Sequence, residues 1–452
     1  MVSLSLPLSP VLPLDLLESL NLPTEPHFYW EKQDVDEAIA AGGCLIQHDV
    51  SGSDRFSKAQ QISSEWFAQI AVMGHLTTPF SGPHIFCRFT FFDHNEATAP
   101  FPSASVFLPQ WHVGRHQDQT VFVANIGSGS AAAIKEQCAQ LWQRYQYLEC
   151  VTERLNVPFN RPSSPDSLAP TVHSLSSVAR LGLSPAQKVA FSESVNAALL
   201  AIEAQDISKT VLAQVLDVSV ASPFKIFPSL QTLRHRHPDC HIFSTANAKG
   251  QVFLGASPER LLRIRDRTLY TEAIAGSAPR GATPEEDEQL GNTLSCSLKE
   301  LHEHQLVVNF ITKQLAELGL ASQRSPFPKL LQLTNIQHLH TPIYASLPSH
   351  LSALEILARL HPTPAVAGVP QPLACDIIQQ QEQFQRSLYA APIGWVNYRG
   401  DSEFIVGIRS ALLDGSTSRL YAGAGIVRGS RPEREVSEIE LKFQTLLTAL
   451  LF

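Results

Sequence analysis

The sequence predicts a mixed α/β fold of the α+β kind, on three observations. Short runs of β-formers bounded by turn residues fill the first 150 residues. Helical stretches with capping residues enter among further strands from residue 184 onward. No βαβ repeat with a fingerprint glycine loop orders them. At 452 residues the chain is long enough to bury a large core in one oversized unit or two ordinary ones.

In chain order, Cys87-Arg-Phe-Thr-Phe-Phe92 and Ser105-Val-Phe-Leu108 read as strands. Val121-Phe-Val123, Gly127-Ser-Gly129 and the helix-forming stretch after them give strand, turn, helix. The full GxGxxG pattern fails there because Ala132 takes its last place, so a dinucleotide site is not expected. The segment 161–170 reads as a loop, either a domain boundary or a surface excursion. Ser184-Pro185 opens a helix, serine as cap and proline in the first turn, with Val195, Leu199 and Ile202 on one face. Lys209-Thr-Val-Leu212 starts a strand, and residues 240–265 alternate short strands with a turn at Ser257-Pro258. One long helix is expected over Pro284–Leu318, and another from a capping box at Ser430–Glu433 to the end.

Composition excludes several classes. Apolar residues make up 44% and charged residues 17%, a globular composition rather than a disordered one. A net charge of -8 argues against a nucleic-acid surface. No apolar run spans a bilayer, and the N-terminus lacks the positive start of a signal peptide, so a cytoplasmic protein without membrane or nucleic-acid partners is expected. Seven cysteines without a CxxC pair read as reduced thiols.

Chemistry concentrates in the second half. Glu435, Glu438 and Lys442 share one side of the last helix, and Glu300 and Glu303 share a face of the helix before it. Each set is either a solvated face or a pair of carboxylates for a hard cation. His302-Glu-His304 looks like a zinc site, but residues two apart on a helix diverge and HExxH is absent. Glu259 follows Ser257-Pro258 at a turn, and Lys209 begins a strand. Arg409, in the apolar run Phe404–Arg409, calls for an anionic partner if buried. His338 and His340 share a strand face, lining a site or serving structure. Gly423-Ala-Gly425-Ile-Val-Arg-Gly429 serves a tight turn or lets backbone N–H groups close on a small anion. Spacing alone stops at an enzyme with a divalent cation and an acidic substrate.

Several long segments, taken together and in order, resemble the chorismate-utilising enzymes. They are Lys209-Thr-Val-Leu212, Phe253-Leu-Gly-Ala-Ser-Pro-Glu-Arg-Leu261, Ile274-Ala-Gly-Ser277, His302-Glu-His304, Leu360-His-Pro-Thr-Pro364, Tyr421-Ala-Gly-Ala-Gly-Ile-Val427, and Glu435-Val-Ser-Glu438 with Lys442. A weaker likeness covers the N-terminal part. The resemblance implies two intertwined halves, with central antiparallel β-sheets packed face to face and helices outside. Residues 1–165 would then form a divergent N-terminal part and 175–452 the catalytic region of one integrated unit.

It further implies Mg2+ held directly by Glu303 and Glu438, with Glu300 and Glu435 holding its waters. Glu259 resembles the general acid for the C4 hydroxyl of chorismate. Lys209 resembles the base of the water-using branch, which makes isochorismate. Arg409, Tyr421, Gly423, Gly425 and Lys442 resemble groups seating the substrate carboxylates, while Gly276, Ser277, His338 and Ala365 would line the ring pocket. Ala275 stands where aminodeoxychorismate synthases carry a nucleophilic lysine, and no glutaminase-like Gly-x-Cys-x-Gly stretch appears, so no glutaminase partner is expected. Small Ala365 favours isochorismate as product over salicylate, and Lys209 argues against anthranilate. The quinone branch is the expected use of the product, and a monomer or homodimer the expected assembly. Two positions depart from the family: Gln214 replaces a frequent arginine, and Ser430-Arg431-Pro432 replaces Ser-Asp-Pro.

Overall fold

The computed structural model describes residues 1–20, 25–96, 98–156, 182–334 and 336–451. The loop expected at 161–170 lies outside them. Two large sheets form the centre. The first has twelve strands, running from Gly368–Val369 through Lys209–Ser219, Thr417–Val427, Ser410–Asp414, Val252–Ser257, His241–Ala246 and His27–Lys32 to Ala71–Gly74 at the far edge. The second has ten and includes Ile336–Ser346, Thr268–Pro279, Arg260–Arg265, Ser402–Val406, Pro392–Asn397, His84–Phe89 and Ala104–Leu108. Among the described ladders only Val2–Leu8 with Ala71–Gly74 is parallel. Both sheets draw strands from before and after the 161–170 segment.

Aromatic side chains lock the sheets together. Phe28 of the first and Phe86 of the second have ring centroids 4.5 Å apart, and Arg88 Nη1 donates to Thr245 Oγ1 across the same gap at 3.0 Å. Strands covered on both faces lose the apolar–polar alternation, which is why Ile242, Phe243, Leu254 and Phe404 are all fully buried. Helices cover the outside. Ser184 caps Pro185–Glu203 through a capping box with Gln187, and Val195 and Ile202 are buried along its inner face. No described helix is long and apolar enough to cross a membrane. All seven cysteines are unpaired.

Three expectations are corrected. The helix expected over Pro284–Leu318 is two, Pro284–Cys296 and Leu298–Glu317, because Ser297 leaves helical geometry and its side chain caps the second by accepting from Glu300 N–H. The capping box at Ser430–Glu433 is absent: Arg431 is the cap residue of Pro432–Leu450 without a side-chain bond, and Ser430 Oγ instead accepts from Val427 N–H. Gly423 and Gly425 lie within the strand Thr417–Val427 rather than in a turn, and only Gly429, at φ +87°, serves one.

Two crossovers between the sheets position the chemistry. Ser257 ends a strand of the first sheet and Arg260 opens one of the second, so Glu259 lies where the chain changes layers. The chain returns between Val406 and Ser410, which places Arg409 at the second crossover, beyond the end of its strand, at φ 48°. The crossovers are bonded side by side: Val406 N–H donates to the Glu259 carbonyl at 3.0 Å, Ala256 N–H to that of Arg409 at 3.1 Å, and Ser257 Oγ–H to that of Val406 at 2.6 Å.

Candidate active site

A cavity of about 150 Å3 lies at these crossovers. Its lining brings together Lys209, Glu259, Gly276, Ser277, Glu303, His338, Ala365, Arg409, Tyr421, Gly423, Gly425, Glu438 and Lys442. Glu300 and Glu435 sit just outside it, on the same helices as Glu303 and Glu438. Broader clefts of about 1040 and 560 Å3 open around Gln380–Ser387, without a comparable convergence of acids and lysines.

Glu259 is buried rather than solvated, at 8% exposure. Burial first, and then the charge of Glu272, push its carboxyl up to about 7 against the pull of Lys209. It is therefore still partly protonated near neutrality. Lys209 is fully buried, and its Nζ donates to Glu303 Oε1 at 2.7 Å. Burial alone would raise Glu303, but the charge and hydrogen bond of Lys209 bring it below the ordinary carboxylate range. Lys442 Nζ makes a matching clasp, donating to Glu438 Oε1 and to the Gly423 carbonyl, each at 2.7 Å. Glu300 and Glu435 are raised, first by burial and next by the neighbouring charges of Glu303 and Glu438.

The glycines permit close approach. A Cβ on Gly425 would stand 3.3 Å from Glu303 Oε1 and 3.4 Å from Lys209 Cε, inside the clasp. At Gly276, φ +75° and contacts at 3.3 Å with Glu300 and Leu339 make a side chain strained and tight. Ser277 Oγ lies 2.9 Å from His338 Nδ1, and burial chiefly lowers His338 to about 3, so its ring is neutral. Arg409 donates to Cys240 Sγ at 3.6 Å and has no carboxylate partner among the described residues. Arg409 is half-buried rather than buried, and its place in the cavity lining leaves it available to an anion from outside the chain.

The two histidines of the strand Ile336–Ser346 take different partners: His338 lines the cavity, while His340 bonds Glu272. His304 is buried against Thr341 Oγ1 and His302 is exposed, so the triplet is no zinc site. Among the described residues, no three histidine, cysteine or acidic side chains converge closely enough to hold an ion by themselves. Glu303 and Glu438, both in the cavity lining, offer carboxylate oxygens, the chemistry of a hard cation, and each is clasped by a lysine.

Sequence reasoning missed Tyr389 and Arg386. The Tyr389 ring stacks on Tyr421 at 5.1 Å, and its hydroxyl approaches Gly423. Arg386 is paired with Glu382 and donates to the carbonyls of Val211 and Val366, tying the Lys209 strand to the segment carrying Ala365. Their neighbourhood has no periodic signal; only the Glu382–Arg386 spacing hinted at a pair. Gln214, the departure from the family pattern, turns its Oε1 to Val215 N–H and leaves Lys209 in the cavity wall.

The chain belongs to the chorismate binding enzymes, whose family model matches residues 1–451. It is 32% identical to the salicylate biosynthesis isochorismate synthase of Pseudomonas aeruginosa, over all of this chain and 90% of that one. It is 38% identical to the isochorismate synthase MenF of Escherichia coli, over 58% of this chain and 60% of that protein. The solved structure of the menaquinone-specific isochorismate synthase MenF from Escherichia coli superposes with a TM-score of 0.76 at 27% identity, covering 99% of this chain and 94% of the other.

Proposed function

We propose that the enzyme interconverts chorismate and isochorismate. One observation carries the reading: Lys209, a candidate base, and Glu259, an acid partly protonated near neutrality, line the same small cavity as an arginine without a carboxylate partner among the described residues. Lys209 takes a proton from water as its oxygen bonds to C2. Both conjugated ring double bonds shift, C1=C2 to C1=C6 and C5=C6 to C4=C5, and the C4 oxygen leaves as water after receiving the proton of Glu259. In reverse the two exchange roles. Arg409, Lys442, Tyr421 and the backbone at Gly423 and Gly425 seat the carboxylates, and His338, Ser277, Gly276 and Ala365 border the ring.

Glu303 and Glu438 would be direct ligands of Mg2+, with Glu300 and Glu435 holding its waters; the bound ion would grip a substrate carboxylate and favour loss of the hydroxyl. The oxygen donor set fits such an ion. A lysine beside C2 also serves water better than an amine, since its ammonium form repels ammonium ion.

The test is product analysis of purified protein given chorismate, Mg2+ and excess ammonium. Isochorismate is expected, approaching the same mixture from either compound, and all turnover should stop in excess chelator. Anthranilate as the main product, or salicylate with pyruvate, would overturn the assignment, and full turnover in chelator would overturn the metal. The destination of the product has two readings. The expected quinone branch is favoured by likeness to the menaquinone enzyme, and salicylate formation by the full-length likeness to the Pseudomonas protein. Deleting the gene and measuring which product disappears decides between them.

A further inference from the structure

The structure places a second buried glutamate behind the acid, one that neither the family motifs nor the spacing singled out. Glu272 lies on the strand Thr268–Pro279, two residues before Ile274 and therefore on the same strand face. Ile274 lines the cavity, so Glu272 sits one step further down that wall. Its carboxylate is held at three points. Arg260 N–H, the first amide after Glu259, donates to Oε1 at 3.3 Å. Tyr270 Oη–H donates to Oε2 at 2.8 Å, and His340 Nε2 lies 2.8 Å from the same oxygen.

We propose that Glu272 is a positioning residue for the acid step: its fixed charge, anchored to the backbone amide next to Glu259, keeps Glu259 in the protonated form that the leaving hydroxyl requires. The inference rests on the acid role given to Glu259 above. Two carboxyl groups in neighbouring buried positions do not both ionise readily, and their surroundings decide which yields. Here the surroundings are unequal. Glu272 has a tyrosine hydroxyl, a histidine, a backbone amide and the nearby Arg260 charge, and it stays charged despite its burial. Glu259 has no hydrogen bond to its carboxyl among the described residues. Lys209, Glu303, Arg386, Tyr389, Arg409, Tyr421, Glu438, Lys442 and His338 are the charged and titratable groups lining its cavity. Lys209 opposes protonation of Glu259, while burial and Glu272 promote it. A base and an acid sharing one cavity would otherwise exchange their proton; Glu272 favours the arrangement in which the lysine can be freed and the carboxyl stays loaded.

The experiment is the pH dependence of kcat/KM for isochorismate formation by the full chain and by Glu272→Gln. The alkaline limb reports Glu259 losing its proton. In Glu272→Gln it should move to lower pH by about one unit, with roughly tenfold loss at pH 8, about twofold at pH 6 and little change at pH 5. Glu272→Asp, which keeps the charge, should restore the limb. A limb that stays in place, or a uniform loss at every pH, overturns the inference while leaving the activity intact. If Glu272→Gln does not fold, Glu272→Asn, the neutral counterpart of Glu272→Asp, removes the charge and should move the limb the same way; no movement overturns it. Infrared titration of the protonated carboxyl band that disappears in Glu259→Gln gives a readout independent of turnover. That band should titrate at lower pH in Glu272→Gln, and an unchanged midpoint overturns the inference even if the assigned reaction is itself wrong.

Discussion

Two buried glutamates on either side of Arg260 behave in opposite ways. Glu403, in the strand Ser402–Val406, is fully buried; Arg260 Nε donates to it at 2.7 Å, His241 Nε2 stands at 3.3 Å, and Arg263 and Arg265 lie within 3.7 Å. Burial would raise it, but Arg260 foremost and then His241 and Arg265 hold it well below the carboxylate range. Glu259 is the residue immediately before Arg260, yet it is pushed up to about 7. The two share a sheet junction and a near absence of solvent. The difference is partnership: the charges around Glu403 come from the chain itself, whereas Glu259 faces a cavity. Burial marks neither as functional; a buried acid left without a cation does.

That contrast is sharpest under neutral substitution. Glu259→Gln should lower turnover on the order of 10²-fold or more without loss of fold. Glu403→Gln should instead cost about 3–5 kcal/mol of stability by breaking the pair of the fully buried Glu403 with Arg260, and leave turnover per folded molecule within a fewfold. Urea unfolding beside steady-state rates separates the two; a catalytic collapse in Glu403→Gln with unchanged stability would erase the distinction.

The pH dependence of stability should also run in opposite directions. Glu259 is raised, so its unfolded form binds fewer protons than its folded form between about 4.5 and 7. Stability from this group is full below that window and falls by up to about 3 kcal/mol as pH rises through it. Glu259→Gln should therefore flatten the slope and leave the variant more stable than the parent at pH 8. Glu403 is depressed: its contribution is present above the ordinary glutamate range and is lost as pH falls below it. An unchanged slope in Glu259→Gln, measured by unfolding at a series of pH values, would mean that Glu259 is not raised.

A smaller effect is expected at a polar residue with neither role. Ser297→Ala removes the cap at the break before Leu298–Glu317 and should cost about 1 kcal/mol. If Mg2+ binds as proposed, it should also raise the Mg2+ concentration needed for half-maximal rate a fewfold, because Glu300 and Glu303 stand in the first turns it caps. A stability loss without any change in metal requirement would show that the break matters to the fold alone.

These features differed in how legible they were. The mixed fold class, the serine-capped helix at Ser184 and the strand at Lys209 follow from local patterns, and the structure has them. The break at Ser297 was not visible, because one serine in an apolar-periodic stretch reads as an ordinary helical position until its side chain is seen to cap. Glu259 was singled out only through the family resemblance, and its burial was not visible because a single sequence does not reveal that its turn passes between two sheets. Arg409 was read as a strand residue for the same reason. Glu272 and Tyr389 depend on pairings far along the chain, such as Glu272 with Pro342. The glycines at 423 and 425 were noticed for the wrong geometry: they admit the Lys209 and Tyr389 side chains rather than make a turn.

The interleaving of early and late strands bears on how the chain is synthesised. His27–Lys32 pairs on one side with Glu37–Gly42 and on the other with His241–Ala246. When the first of these strands leaves the ribosome, its second neighbour is some two hundred residues from being made. During that interval it presents a bare apolar edge, with Phe28 and Trp30 still in water. Long-range strand pairing of this kind closes slowly and exposes the chain to wrong partners of its own kind. Recovery of this enzyme on overexpression should therefore depend on chaperone supply and growth temperature more strongly than the depth of its finished core would suggest.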